Sequence, residues 1–159
     1  MSNPAYLWLT DENGSPIVGA SQVMGREGAI ELKFFTHNLN IPTDGNTGRL
    51  TGTRIHSPIM IQKEADRTTP FLYKALTHNA TLKFAVIKKY SISEAGKEVE
   101  YFNTLLEKVK IISITPDLYP DASTNTHLET VLLRYEKITW KYCDGNIIHT
   151  DQWNEFARY

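Results

Sequence analysis

Five histidines and one cysteine are the residues of this sequence with the widest capacity for chemistry. None of the histidines forms the HxH, HExxH or cysteine–histidine spacings with which chains commonly bind zinc. His149 and Asp151 would share one face of a strand, but a pair of this kind is more typical of a surface hydrogen bond. The pattern therefore predicts no metal site.

Catalytic nucleophiles and acid–base pairs are also not indicated. A cysteine nucleophile needs a nearby base and a lowered pKa, but Cys143 precedes turn residues and lies far from any predicted helix start. Glu98 and Glu100 alternate with apolar residues, as the solvent side of a half-buried strand requires. The sequence contains no nucleophile elbow, phosphate-binding loop or dinucleotide fingerprint. We therefore predict no catalytic residue, no cofactor and no enzymatic activity.

The charge balance limits the classes of partner. Lysine and arginine total 17 and aspartate and glutamate 18, which gives a net charge of −1. Binding to nucleic acid depends on clustered basic side chains that neutralise phosphates, so we predict no nucleic-acid partner. The local pair Lys88 and Lys89 is interpreted as a solvated surface.

Length and hydropathy indicate one domain outside the membrane. A chain of 159 residues with 41% hydrophobic residues can bury one sizeable core, so we predict a single domain over residues 1–159. No apolar run approaches the ~20 residues of a transmembrane helix, which predicts no membrane insertion. The first residues lack the basic and apolar regions of a signal peptide, so we expect synthesis in the cytoplasm.

Short alternating segments between turn residues predict a mainly β chain. Ile30, Leu32 and Phe34 are expected on the buried face of one strand. Segments 82–90 and 98–105 flank a predicted turn at 93–97. Turn residues at 116–125 predict a second long loop. Segment 127–142 is extended throughout, which is long for one strand.

Two further signals are local. Asp144 and Gly145 predict a hairpin turn. Thr69 as N-cap and Pro70 as first helical residue predict one short helix that ends near residue 79. A chain with many strands and one helix must protect the edges of its sheets, either by closing into a barrel or by pairing with other copies.

A second class of function is left open by aromatic residues at alternating positions, among them Tyr6, Phe35, Phe84, Tyr135, Trp140, Tyr142 and Trp153. They could line a ligand pocket, although they are more typical of a barrel core. A monomeric ligand-binding β-barrel is therefore an alternative to a protein that assembles.

The segment 38–54 is the first place to look for a partner surface. It is dense in glycine, threonine and asparagine, which favour turns, and loops of this length are usually functional or disordered. Candidate contact residues are Pro42, Thr43, Asp44, Asn46, Thr47, Arg49 and Thr51.

Several stretches, in order along the chain, resemble one known family. They are AYLWLTDENGSPIVG, REGAIE, HNLNIPTDGNTGRLTGTRIHSPI, TPFLYKAL, VEYFNTLLEKVKI and LRYEKITWKYCDGNIIHTDQWNE. Together they resemble the Hcp proteins (haemolysin-coregulated protein, TssD), which form the tube of bacterial type VI secretion systems. Cys143 departs from the pattern, because a polar residue is expected before the DGN turn.

The resemblance implies a compact antiparallel β-barrel of two sheets with one short α-helix. Six copies would form a ring, and rings would stack into a hollow tube inside a contractile sheath, tipped by a VgrG-type spike. Sheath contraction would secrete the tube without a signal peptide, and small effector proteins could travel in its lumen. A contractile phage tail tube protein has the same assembly logic and is an alternative.

The resemblance also implies roles for residues. The loop at 38–54, with the candidate residues named above, would make the axial contact between rings. The polar stretch Thr36, His37 and Asn38 at a strand end is our hypothesis for a surface that faces the lumen.

Overall fold

The computed structural model describes residues 3–118 and 127–152. Within these ranges the chain forms one helix and twelve strands, in the order β1 (Ala5–Thr10), β2 (Pro16–Ile17), β3 (Ile30–Leu32), β4 (Phe34–Thr36), β5 (Leu39–Asn40), β6 (Ile55–His56), β7 (Ile59–Glu64), α1 (Thr69–Thr77), β8 (Leu82–Ile92), β9 (Glu98–Asp117), β10 (Leu128–Arg134), β11 (Lys137–Tyr142) and β12 (Ile147–Gln152). The prediction of a mainly β chain with one short helix is confirmed.

The strands pair antiparallel around β9, which is 20 residues long. One edge of β9 pairs with β8, and the other edge pairs first with β11 and then with β10. Lys108, at a φ of 54°, lies where the second edge changes partner. The full path runs β2–β1–β8–β9–β10–β7–β4, with β12 added to β11 and β3 added to β1.

The predicted barrel does not close through one continuous set of strand pairs. β3 pairs with β1, whereas β4 pairs with β7 at the other end of the path. Lys33 separates the two strands, and its N–H donates to the carbonyl oxygen of Gln62 at 2.7 Å. The chain thus brings the two ends of the sheet together at a bend.

This bend also corrects the predicted face of the strand. Ile30 and Leu32 are 2% and 8% exposed, as expected, but Phe34 is 50% exposed. Because the segment changes its pairing partner at Lys33, the alternation of faces does not continue through that residue.

The main hydrophobic cluster is mostly aliphatic, which corrects the expectation that aromatic residues would fill the core; Tyr6 and Tyr90 form a separate, smaller buried cluster. Fully buried side chains include Leu7, Ile59, Leu106, Leu133 and Ile138. Tyr135 is the aromatic member of this main cluster among the described residues, while Phe35 and Trp140 are only partly buried against it. Phe84 and Tyr142 are 39% and 44% exposed. Trp153, which we grouped with these aromatics, lies outside the described ranges.

The helix lies against β9 and is attached to the sheet at its first residue. Leu72 and Ala75 are its buried residues. The predicted helix is confirmed, but its N-cap is Thr68 rather than Thr69. The Thr69 hydroxyl instead donates to the Glu129 carboxylate at 3.0 Å. In the described ranges no helix has the length and apolar character needed to cross a membrane.

The predicted hairpins are present. β8 and β9 flank the turn at 93–97, and Gly145, at a φ of 90°, lies in the turn between β11 and β12. The long extended segment at 127–142 is two strands, because Tyr135 and Glu136 interrupt it. The predicted loop at 116–125 begins later than expected, since Pro116 and Asp117 belong to β9; positions 119–125 lie outside the described ranges.

Candidate functional site

The loop at 38–54 is ordered by its own hydrogen bonds. β5 and β6 pair at its base, and Thr43 forms an isolated bridge with Leu50 further out. The Asp44 N–H donates to the Arg49 carbonyl oxygen at 2.7 Å, and the Gly48 N–H donates to the Asp44 carbonyl oxygen at 2.8 Å. The segment is therefore a defined hairpin-like projection with a tight tip.

The candidate contact residues are accessible on this projection. Pro42 and Asp44 are half-buried; the other five are exposed, namely Thr43, Asn46, Thr47, Arg49 and Thr51. The carboxylate of Asp44 accepts the Asn46 N–H at 2.9 Å, which fixes the turn. The exposed polar groups are thus presented by a fixed backbone.

Three apolar side chains on the same projection were missed from the sequence. Ile41, Leu50 and Ile55 are 45%, 66% and 47% exposed. Apolar side chains held in solvent on an ordered loop are candidates for an interaction surface. Each is a single apolar residue among the polar and turn residues of the segment, so it gives no periodic hydrophobic signal.

The base of the loop is held by an ion pair with β12. Arg54 Nε donates to Asp151 Oδ2 at 2.6 Å, and the second guanidinium nitrogen donates to Oδ1 at 2.8 Å and to the Gln152 carbonyl oxygen at 2.9 Å. His56 Nε2 lies 2.8 Å from the same Asp151 Oδ2. Bidentate charge-assisted bonds of this kind are among the stronger polar contacts in proteins.

A second set of contacts continues from this ion pair into the core. His56 Nδ1 is hydrogen-bonded to the Tyr135 hydroxyl, and His37 Nε2 lies 2.9 Å from the same hydroxyl. His56 is 2% exposed and Tyr135 is 5% exposed. The contacts therefore form one chain, Arg54–Asp151–His56–Tyr135–His37, which we call the root network.

The environment of the root network alters the titration of its members. Burial, followed by the nearby His56, lowers the pKa of His37 to about 4. Burial and then the charge of Asp151 raise the pKa of the Tyr135 phenol. Burial alone would raise the pKa of Asp151, but the hydrogen bonds and charges of Arg54 and His56 outweigh it and lower that pKa.

Strand alternation explains why a carboxylate lies there. Asp151 pairs with Ile138 across β11 and β12, and Ile138 pairs with Leu106 of β9. Ile138 and Leu106 are both fully buried, so residue 151 faces the same side as the core. The hairpin turn predicted at Asp144 and Gly145 fixes this register, and it is the signal that could have indicated an inward-facing Asp151.

The hypothesised lumen residues lie directly before the loop. Thr36 and Asn38 are exposed, whereas His37 is half-buried with its ring against Tyr135. The three residues alternate in direction, as expected for extended chain. His37 thus takes part in the root network.

The other residues considered for chemistry are held in local contacts. The half-buried Cys143 thiol lies 3.5 Å from Glu100, and burial followed by the charge of Glu100 raises its pKa. Glu98 forms a salt bridge of 3.1 Å with Arg26. Its neighbour Val99 is 50% exposed, so the predicted buried face of this strand segment is wrong. The outer end of β9 extends beyond the core there, which leaves both faces accessible.

Lys89 and His149 also lie against aromatic rings. Lys89 is half-buried over the rings of Phe35 and Phe102, at 4.6 and 5.3 Å, so the predicted solvated lysine pair is wrong for this residue. Burial lowers the pKa of Lys89. His149 stacks on Trp140 at 6.0 Å and does not meet Asp151. Among the residues that the structure describes, no three His, Cys, Asp or Glu side chains are placed to hold a metal ion.

Comparison with known proteins agrees with the fold. The family model described as "Type VI secretion system effector, Hcp" matches residues 6–142. A Pseudomonas aeruginosa (strain PAO1) protein named "Major exported protein" is 32% identical over 166 residues, which cover 96% of each chain.

Solved structures give the same result. A mutant of the Hcp1 protein from E. coli EAEC 042 is 55% identical to this chain with a TM-score of 0.89, over 96% of this chain and 99% of that one. The secreted protein Hcp3 from Pseudomonas aeruginosa is 28% identical with a TM-score of 0.79, over 96% and 99%. The match to the family model, which extends from β1 to the end of β11, shows that this chain belongs to the Hcp family of type VI secretion system proteins.

Proposed function

We propose that this protein is a structural subunit of the inner tube of a type VI secretion system. Six copies form a ring, and rings stack into a hollow tube that sheath contraction expels from the cell. Its partners are other copies of itself, the contractile sheath, a VgrG-type spike and small effector proteins in the lumen. It is made in the bacterial cytoplasm and secreted with the tube. It needs no cofactor.

The observation that supports assembly most strongly is the exposed, ordered loop at 38–54. Its internal hydrogen bonds fix a backbone on which Leu50 and Ile41 are 66% and 45% exposed. Exposing apolar side chains on a fixed backbone is unfavourable for a monomer, and a second copy would bury them. We assign the axial contact between rings to this loop, with Asn46, Thr47 and Arg49 as polar contacts at its tip.

The position of the loop base is consistent with head-to-tail stacking. The base is attached to Asp151 of β12. Asp151 pairs with Ile138, Ile138 with Leu106 and Leu106 with Ala85, so Asp151 lies level with Ala85 of β8 across the sheet. The turn at 93–97 follows Ile92, seven positions further along β8 and therefore ~23 Å away. A loop based at one end of the sheet could meet the turns at the opposite end of a copy in the next ring.

The accessible polar residues before the loop fit a wall exposed to water. We propose that Thr36 and Asn38 face the lumen, with His37 turned inward between them. A polar lining would let folded effectors move without adhering to apolar surface. The described carboxylates and the thiol considered for catalysis instead contact neighbouring side chains, which favours a structural role.

Solution mass is the first test of assembly. Light scattering and negative-stain imaging of purified protein over a range of concentrations should give annular particles of about 109 kDa, six times the chain mass of 18.1 kDa. A stable monomer at every concentration would contradict the proposal and favour a ligand-binding barrel.

A charge reversal tests the loop itself. Arg49→Glu should leave the ring mass and the unfolding midpoint unchanged while it shortens or abolishes stacked tubes. Lys74→Glu on the exposed side of α1 is the matched control and should stack normally. Equal stacking by both variants would show that the loop does not make the axial contact.

A further inference from the structure

The root network connects both ends of the loop to the body of the protein. The chain leaves the body at His37 and returns through Arg54 and His56, and all three residues belong to the network. Their common partners are Tyr135, between β10 and β11, and Asp151 in β12. The guanidinium of Arg134 adds a bond of 3.0 Å to the His56 carbonyl oxygen.

Asp151 and Tyr135 determine which groups of the network donate a hydrogen and which accept one. The Asp151 carboxylate can only accept, so His56 Nε2 carries a hydrogen and donates to it. The Tyr135 hydroxyl has one hydrogen and lies between two imidazole nitrogens, so it donates to one ring and accepts from the other. Of the two ring nitrogens that face Tyr135, one therefore carries a hydrogen and the other does not. A change in the protonation of either histidine alters the hydrogen bonds of both.

Burial makes these bonds necessary. The side chains of His56 and Asp151 are 2% and 14% exposed, so water cannot readily replace a lost partner. A buried polar group left without a hydrogen bond carries a substantial desolvation penalty. The strand pair at the loop base is short, since β5 and β6 are only two residues long each.

We propose that Arg54, His56, Tyr135 and Asp151 are positioning residues that fix the direction in which the 38–54 loop projects, and that Asp151 is the central one. The network holds the two ends of the loop at a set distance from β12. This proposal rests on the proposed function, because the direction of the loop affects tube assembly only if the loop contacts another ring. Its structural part can be tested on unstacked protein.

The structural test is hydrogen exchange measured by mass spectrometry on the full chain. Asp151→Asn removes the charge and keeps the shape, and it should accelerate exchange of amides in 39–57 by about tenfold or more, while peptides from β8 and β9 remain unchanged. Asp151→Glu keeps the charge and should stay within about threefold of the wild type. This rescue separates positioning by charge from loss of packing.

A matched control removes a carboxylate elsewhere. Asp117 accepts a hydrogen bond of 2.7 Å from Thr130 at the far end of β9 and β10. Asp117→Asn should leave exchange in 39–57 at the wild-type rate. Unchanged exchange at 39–57 in Asp151→Asn would overturn the proposal, as would an equal rise throughout β8 and β9.

Stacking assays then separate the two proposals. The loop tip is tested by Arg49→Glu, which does not touch the root network. If Arg49→Glu stacks normally, the loop is not the axial contact and the proposed function of the loop fails. If Arg49→Glu abolishes stacking while Asp151→Asn keeps both loop exchange and tube length at wild-type values, only the positioning role fails. Loss of tubes in both variants, with loop exchange raised in Asp151→Asn alone, supports both.

Discussion

Lys63 and Glu129 lie opposite each other in β7 and β10, and their side chains meet at 2.5 Å with exposures of 0% and 2%. Both face the core because strand residues alternate sides, so each charge depends on the other. Glu129 also accepts a hydrogen bond from Thr69, and Lys63 lies 3.3 Å from Asp66. The ion pair therefore attaches the start of α1 to the sheet.

Breaking this ion pair should destabilise the protein. Glu129→Leu leaves Lys63 buried without its main partner and should lower the free energy of unfolding by ~2–4 kcal/mol. The double variant Lys63→Met with Glu129→Leu removes both charges and should recover at least about half of that loss. Urea unfolding at one protein concentration measures both, and a single variant as stable as the wild type would contradict this expectation.

Acidification should weaken the fold through His37. Its pKa is lowered from 6.5 to about 4, so between these values the unfolded chain binds a proton that the folded chain does not. The free energy of unfolding therefore falls as pH falls through this window, by ~1–2 kcal/mol after allowance for partial exposure. Asp151 contributes at lower pH, since its pKa lies below 3.8.

Urea unfolding at neutral and mildly acidic pH measures the His37 contribution. His37→Gln should have a smaller dependence on pH than the wild type. His78→Gln, at an exposed histidine at the end of α1, should keep the wild-type dependence. The same slope in both variants would assign the acid sensitivity to other groups.

Arg26 should not be replaceable by lysine. Its guanidinium lies 4.3 Å from the ring of Tyr90 and 5.0 Å from the ring of Tyr6, and it forms two bonds with Glu98. Lysine cannot reproduce the planar stacking and the paired bonds, so Arg26→Lys should cost ~1–2 kcal/mol of stability. The exposed Arg67→Lys is the control and should have no measurable effect on the unfolding midpoint.

Gly19 should not tolerate a side chain. A Cβ there would overlap the Ala29 carbonyl group, with the carbonyl carbon at 2.7 Å and Ile30 Cγ1 at 2.8 Å. Since backbone must move to relieve this overlap, Gly19→Ala should lower stability by ~2 kcal/mol or more. At Gly45 nothing lies within 4 Å, so Gly45→Ala should unfold like the wild type. Thermal unfolding of the two variants makes the comparison.

The parts of the fold that depend on local signals were predictable from the sequence. Pro70 indicated the helix start, and the turn residues around Gly96 and Gly145 indicated both hairpins. The bend at Lys33 was not predictable, because the alternation of apolar residues continues through it. Its cause is the pairing of β3 and β4 with two strands far away in sequence.

The same distinction applies to the candidate site. The density of glycine, threonine and asparagine indicated the loop, whereas the root network joins His56 to Tyr135 across 79 positions and to Asp151 across 95. No short motif encodes such contacts. The lumen hypothesis treated His37 as one of three equivalent polar residues, since sequence alone does not show which side of an extended chain meets Tyr135.

The length of β9 has a mechanical consequence. Because β9 is hydrogen-bonded along its edges to β8, β10 and β11, one continuous strand joins the two halves of the sheet. Shear applied to either half would load many backbone bonds at once. An assembly made from such bodies would bend and stretch mainly at the contacts between copies, so its stiffness would be set by those contacts.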